Sequence, residues 1–140
     1  MNAGDHALMA ELLAQLKMAQ EKKDKAEAEL GLWLERMKLA QDAGKHDLFE
    51  AARERARRVR EDLRDAESVI MDMEVQKKAL KRDARMGKVA QSAAVVARNQ
   101  ALVKSLEGTP MDPRDAKFER MEKEAAADDA LEALKKKMGL

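Results

Sequence analysis

Between Met9 and Leu80 the apolar positions recur in alternating steps of three and four, in two arms. The first arm is Met9, Leu12, Leu16, Ala19, Lys23, Ala26, Leu30, Trp33, Met37 and Ala40. The second is Phe49, Ala52, Ala56, Val59, Leu63, Ala66, Ile70, Met73, Lys77 and Leu80. Such a repeat averages 3.5 residues, the period at which helices wind about one another. Folding the chain at Gly44–Lys45 sets Ala40 opposite Phe49, Trp33 opposite Ala56, Ala26 opposite Leu63 and Met9 opposite Leu80. Several of these layers oppose a large and a small residue, which keeps an antiparallel seam at constant width. The pattern predicts an all-α chain built on a long antiparallel coiled-coil hairpin, with an extended second helix and one or two short C-terminal helices. The seam is expected to rest on Leu12, Leu16, Leu30, Trp33, Met37, Phe49, Val59, Leu63, Ile70 and Met73. Lys23 and Lys77 sit in the same stripe; their stems can reach past the seam to water, and a polar group there penalises wrong registers.

Local signals divide the chain into a hairpin over 1–107, a linker over 108–114 and an amphipathic segment over 115–140. The hairpin helices are expected at about 5–42 and 47–106, with the tip at 43–46. Asp5 is the expected N-cap of the first, with Met1–Gly4 frayed. Gly31, in the helix interior, is expected to make room beside Trp33. Gly44 suits a left-handed C′ position, and Asp47 with Glu50 has the spacing of a capping box. Gly108 ends the long helix, Asp112 caps the next and Pro113 takes its first position. Asp128–Asp129 is an expected break, with Asp129 and Glu132 spaced to cap a terminal helix.

The two hairpin helices differ in expected length, roughly 55 Å against roughly 90 Å at 1.5 Å per residue. The second therefore overhangs the first beyond Leu80, and the overhang holds the apolar stretch Val89–Ala97. The phase of the stripe changes near Met86-Gly87-Lys88, giving way to Val89, Ala93, Val96 and Val103; a bend or a change of supercoil is expected there. An apolar face of this kind needs cover, so the expectation is self-association or a separate partner, with Val89, Val96, Val103, Phe118, Met121, Leu131, Leu134 and Met138 as subunit contacts.

Composition narrows the chemistry. Charged residues make up 39% of the chain and aromatic residues 2%, the balance of long helices rather than of a wide globular core. No apolar run is long enough to cross a bilayer, and no secretory leader is expected. The chain lacks cysteine, which removes disulfides and thiolate metal sites and fits a reducing compartment. His6 and His46 stand beside neither a nucleophile nor a second metal ligand, and no glycine-rich phosphate loop occurs. No catalytic residue, metal or cofactor is expected.

Residues 45–107 carry 15 Lys and Arg against 11 Asp and Glu, so this stretch holds the positive charge. Arg53, Arg57, Arg60 and Arg64 share one face, interleaved with acids; Lys77, Lys78, Lys81, Arg82, Arg85 and Lys88 form a second row with Asp83 the one acid among them. Each row reads either as an ion-paired solvated face or as a surface for anionic lipid. Nucleic acid is not expected, because the aromatic groups that stack on single strands are missing.

Three stretches resemble one family. Trp33, Arg36, Leu39-Ala40, Gly44-Lys45-His46-Asp47-Leu48 and Ala51-Ala52-Arg53 resemble the hairpin tip of the phage-shock-protein-A family, which includes the vesicle-inducing protein of plastids and belongs to the ESCRT-III superfamily. Ala116-Lys117-Phe118-Glu119-Arg120-Met121-Glu122 is similar to the start of its fourth helix, and Ala130–Met138 to its short terminal helix. The resemblance implies a cytoplasmic, peripheral membrane protein that assembles into polymers, rods or rings and stabilises or remodels bilayers. It implies that Leu131, Leu134 and Met138 pack across the tip of a neighbouring subunit, around Lys45–Ala52, with Phe118 and Met121 at the elbow. It also admits an adaptor role, binding an AAA+ transcription activator. Relative to that family the N-terminal amphipathic helix and the early first hairpin helix are missing. The missing part would cover Val89–Val103, so polymer contacts or a longer paralogue are expected to fill its place.

Overall fold

Twenty positions of the three–four pattern, from Met9 to Leu80, are all buried or half-buried in the computed structural model, which describes all 140 residues. The chain is all-helical, with four helices and no strand: α1 (Ala3–Asp42), α2 (His46–Met86), α3 (Ala90–Ser105) and α4 (Asp115–Lys137). It forms two compact units, Met1–Ala28 with Val59–Thr109 and Glu29–Arg58 with Pro110–Leu140.

Three helices end at a glycine, while α3 ends at Ser105 with Leu106 at its cap, short of Gly108, its expected end. Gly44 has φ 68°; its N–H bonds to the Gln41 carbonyl at 3.1 Å and that of Lys45 to the Ala40 carbonyl at 2.9 Å. This pair of bonds closes a helix around a left-handed residue. Gly87 repeats it, with φ 69°, Gly87 bonding to Ala84 and Lys88 to Asp83 at 2.8 Å. The helix expected over 47–106 is therefore two helices. Gly87 ends the first by the same mechanism as Gly44, and the expected bend is a full break. The N-terminus also differs from expectation: Asn2 is the cap, its Oδ1 accepting from the Asp5 N–H at 2.8 Å while Asp5 Oδ2 accepts from the Asn2 N–H. That reciprocal pair orders the first turn.

In the first unit α3 turns back along α2. Leu12, Leu16 and Ala19 of α1, Val69, Met73 and Leu80 of α2, and Val96 and Val103 of α3 form one buried cluster. The expected overhang does not exist. Val96 is 1% exposed and Val103 4%, and Val89 is half-buried against the same cluster, so these three face their own chain rather than a subunit interface. The buried line of α3 is Val89, Ser92, Val96, Asn99, Val103 and Leu106, again in threes and fours; Ala93, expected on that line, is exposed.

The second unit packs α4 beside the end of α1 and the start of α2. Phe118 and Met121 are 2% and 3% exposed and meet their own chain, which corrects their assignment as subunit contacts. In the turn ahead of α4, Asp112 Oδ1 accepts from the Arg114 N–H at 2.9 Å and Asp115 Oδ2 from the Asp112 N–H; α4 itself starts at Asp115, past the expected Pro113, and its cap position, Arg114, makes no side-chain cap bond. The expected break at Asp128–Asp129 is absent: α4 runs unbroken to Lys137 and closes at Gly139, φ 74°. Gly31 makes no room for packing, since a Cβ there would meet nothing within 4 Å.

Candidate functional site

Three kinds of side-chain cluster stand out: a buried amide group, an aromatic–arginine group and two exposed helix faces. The amide group lies in the first unit. Asn99 Nδ2 donates to Gln15 Oε1 at 3.0 Å and to Gln76 Oε1 at 2.6 Å; Gln76 Nε2 returns a bond to Asn99 Oδ1 at 3.3 Å. Gln15 Nε2 donates to the Val96 carbonyl at 2.9 Å. One side chain from each of α1, α2 and α3 thus meets in a mutually satisfied set, which fixes the axial register of three helices. Lys22 Nζ, on α1, donates to the Val103 carbonyl at 2.7 Å, where the last turn of α3 favours a cation. Lys23 and Lys77, the sequence candidates for a register device, are half-buried. Sequence reasoning missed Ser92 and Asn99 because it followed hydropathy; the signal was their three–four spacing between Val89, Val96 and Val103.

In the second unit the Trp33 and Phe118 rings meet edge to face, 5.0 Å between centroids and 89° between planes. Arg36 lies 4.6 Å and Arg55 5.2 Å from the Trp33 centroid, so two guanidinium groups attend one indole. Arg36 also pairs with Glu122, and Arg55 with Asp115 at 3.3 Å. These pairs tie α4 to both other helices of the unit. The buried Nε of Arg55 has no partner, and the cleft between Arg55, Arg58, Arg114 and Phe118 is about 20 Å³, room for one water. Clefts beside Ser92 and at the tip are about 180 and 210 Å³, below the roughly 300–1,000 Å³ of small-molecule sites. Arg114, bonded to Asp112, draws that carboxyl down to about 2. The hydrogen bond from Arg57 lowers Glu54.

The first exposed face is on α2. Within the first unit Arg64, Met71, Lys78 and Arg85 recur every seven residues and all are exposed. Val75 and Arg82 form the adjoining column, also exposed, with Arg60 and Lys81 on the other flank. Met71 is 70% exposed, Val75 67% and Met86 63%. Glu61, Glu67 and Glu74 are the acids on this side, with Asp65 and Asp72 along the edge beside Val75. Of the six residues singled out for lipid contact, Lys78, Lys81, Arg82, Arg85 and Lys88 are exposed and Lys77 is half-buried. Arg82 pairs with Asp83 at 3.5 Å and Arg85 donates to the Lys81 carbonyl. In the second unit Arg53 and Arg57 are taken by Glu50 and Glu54, so there the ion-paired reading holds.

The second face is on α4. After Ala125 every residue to Leu140 is exposed, Leu131 and Leu134 at 51% and Met138 at 64%. Of the expected subunit contacts, these three are the ones left exposed. No helix is long and apolar enough to cross a membrane. Comparison with protein-family models, curated proteins and solved structures finds no match to this chain.

Proposed function

We propose that this chain is a non-enzymatic, self-assembling protein of the phage-shock-protein-A type that binds, stabilises or remodels anionic membrane surfaces from the cytoplasmic side. Its α1 and α2 act as an antiparallel coiled-coil hairpin, a reading supported by the burial of all twenty pattern positions. The observation that carries the functional reading is the outward face of α2, where exposed cations alternate with Met71 and Val75. Met71 and Val75 are the most exposed large apolar side chains in the helices, and they stand among cations. A bilayer interface takes both: cations at the headgroups, at about 1 kcal/mol each, and apolar groups just below them. The exposed end of α4 supports self-association.

The test is co-sedimentation with vesicles, followed by electron microscopy. Protein is expected to pellet with phosphatidylglycerol-containing vesicles and not with phosphatidylcholine alone. Reversing the charge of Lys78, Lys81, Arg82 and Arg85 is expected to abolish binding with helicity unchanged; binding that survives rejects this face.

A second reading, an adaptor that binds an AAA+ activator, is favoured by the folding back of α3. That fold covers Val96 and Val103 and takes away the apolar overhang on which a longer paralogue or an open polymer would build. Uniform small particles that ignore vesicles would favour it.

A further inference from the structure

Helix α4 has two apolar stripes on opposite faces. The first, Phe118 to Ala125, is packed; nine residues after Ala125, which is two and a half turns at 3.6 residues each, Leu134 points the other way. The second stripe is Ala127, Leu131, Leu134 and Met138, in steps of four, three and four, on a segment exposed on all sides. A helix end this short is marginal in water on its own.

We propose that this stripe pairs antiparallel with the same stripe of a second copy. This rests on the self-association reading and names its contact. Set about a two-fold axis between Glu132 and Ala133, Leu131 faces Leu134 of the other copy and Ala127 faces Met138, so each layer has matched volume. In the same register the flanking Asp128 faces Lys135 of the other copy, twice by symmetry. Acid lies early in the stripe and the Lys135–Lys137 run late, so antiparallel pairing sets opposite charges together and opposes the helix dipoles. Parallel pairing sets the two lysine runs side by side. The tip, where Leu48 and Phe49 are half-buried, is a competing surface.

The absence of cysteine makes the test direct. Full-length Ala127→Cys and Met138→Cys proteins are oxidised separately and as an equimolar mixture. Both positions are exposed, and circular dichroism checks folding. The pairing predicts covalent dimer in the mixture, at least tenfold above either protein alone, because two copies of position 127 lie about 16 Å apart along an antiparallel pair. Cross-linking of Ala127→Cys alone shows parallel pairing and overturns the proposal. No cross-link in any sample, with light scattering still showing a dimer or larger, overturns this contact and leaves the self-association reading intact. A monomer at tens of micromolar overturns both. Asp128→Lys is expected to reduce the dimer fraction at least tenfold, and adding Lys135→Asp to restore it; no recovery contradicts the register.

Discussion

Helices α3 and α4 are both third helices laid against a pair, and they are held by different chemistry. Helix α3 is held by aliphatic contacts and a neutral amide set, Gln15, Gln76 and Asn99. Helix α4 is held by two aromatic rings, two guanidinium groups and two carboxylates. Amides are directional and indifferent to pH and salt, so α3 gains a fixed register. Ion pairs against an aromatic surface add strength but respond to charge. The first unit is therefore expected to be insensitive to its medium, and the docking of α4 to depend on it.

The largest break in that comparison is Phe118→Ala. It removes one ring of the edge-to-face pair and should cost roughly 3–5 kcal/mol. Trp33 is the chain's one tryptophan and lies in the second unit, so its fluorescence should report early loss of α4 while amide exchange in α3 stays slow. Next comes Asn99→Ala, which strands the amides of Gln15 and Gln76 at roughly 1–3 kcal/mol. Replacing all three amides with Leu should restore stability but loosen register, seen as broadened NMR signals from α3. Glycine gives a pair of opposite sign. Gly87→Ala forces a side chain into the left-handed region, at about 1–2 kcal/mol, in a thermal melt. Gly31→Ala, in a helix with open space around it, should gain about 1 kcal/mol.

The smallest effect is the pH response of the turn that leads into α4. Asp112 titrates at about 2 against an ordinary 3.8, because Arg114 bonds its charged form. A carboxyl lowered by folding stabilises the fold above pH 3.8, and that contribution fades as pH falls through 2. Protection of the amides at the start of α4, taken against the intrinsic exchange rate at each pH, should therefore fall between pH 4 and 2, and Asp112→Asn should flatten that dependence.

The sequence pattern placed twenty interior positions of α1 and α2, because both arms mark them with apolar groups at every step but Lys23 and Lys77, and it left out Gln15, Arg36 and Val69, which are buried beside that line. It failed at α3 for two reasons. Gly87 carried the same stop signal as Gly44 but lay inside a strong helical pattern, and Ser92 and Asn99 are polar members of a buried line. The unbroken α4 was misread at Asp128–Asp129, since two exposed acids resemble a cap when no capping bond can be seen. The basic row from Lys77 to Lys88 was legible; its apolar neighbours Met71 and Val75 were not, because only exposure separates a bare methionine from a core one.

The outward face of α2 carries the functional account, and the most direct measurement is made there. Met71→Cys, labelled with a polarity-sensitive fluorophore, is mixed with anionic and with neutral vesicles, beside a label at Ser105, which is exposed on α3. The account predicts a blue shift at position 71 with anionic vesicles alone and none at 105. A label at 71 that stays in water while the protein pellets with the vesicles, or that fails to respond to any vesicle, would contradict it.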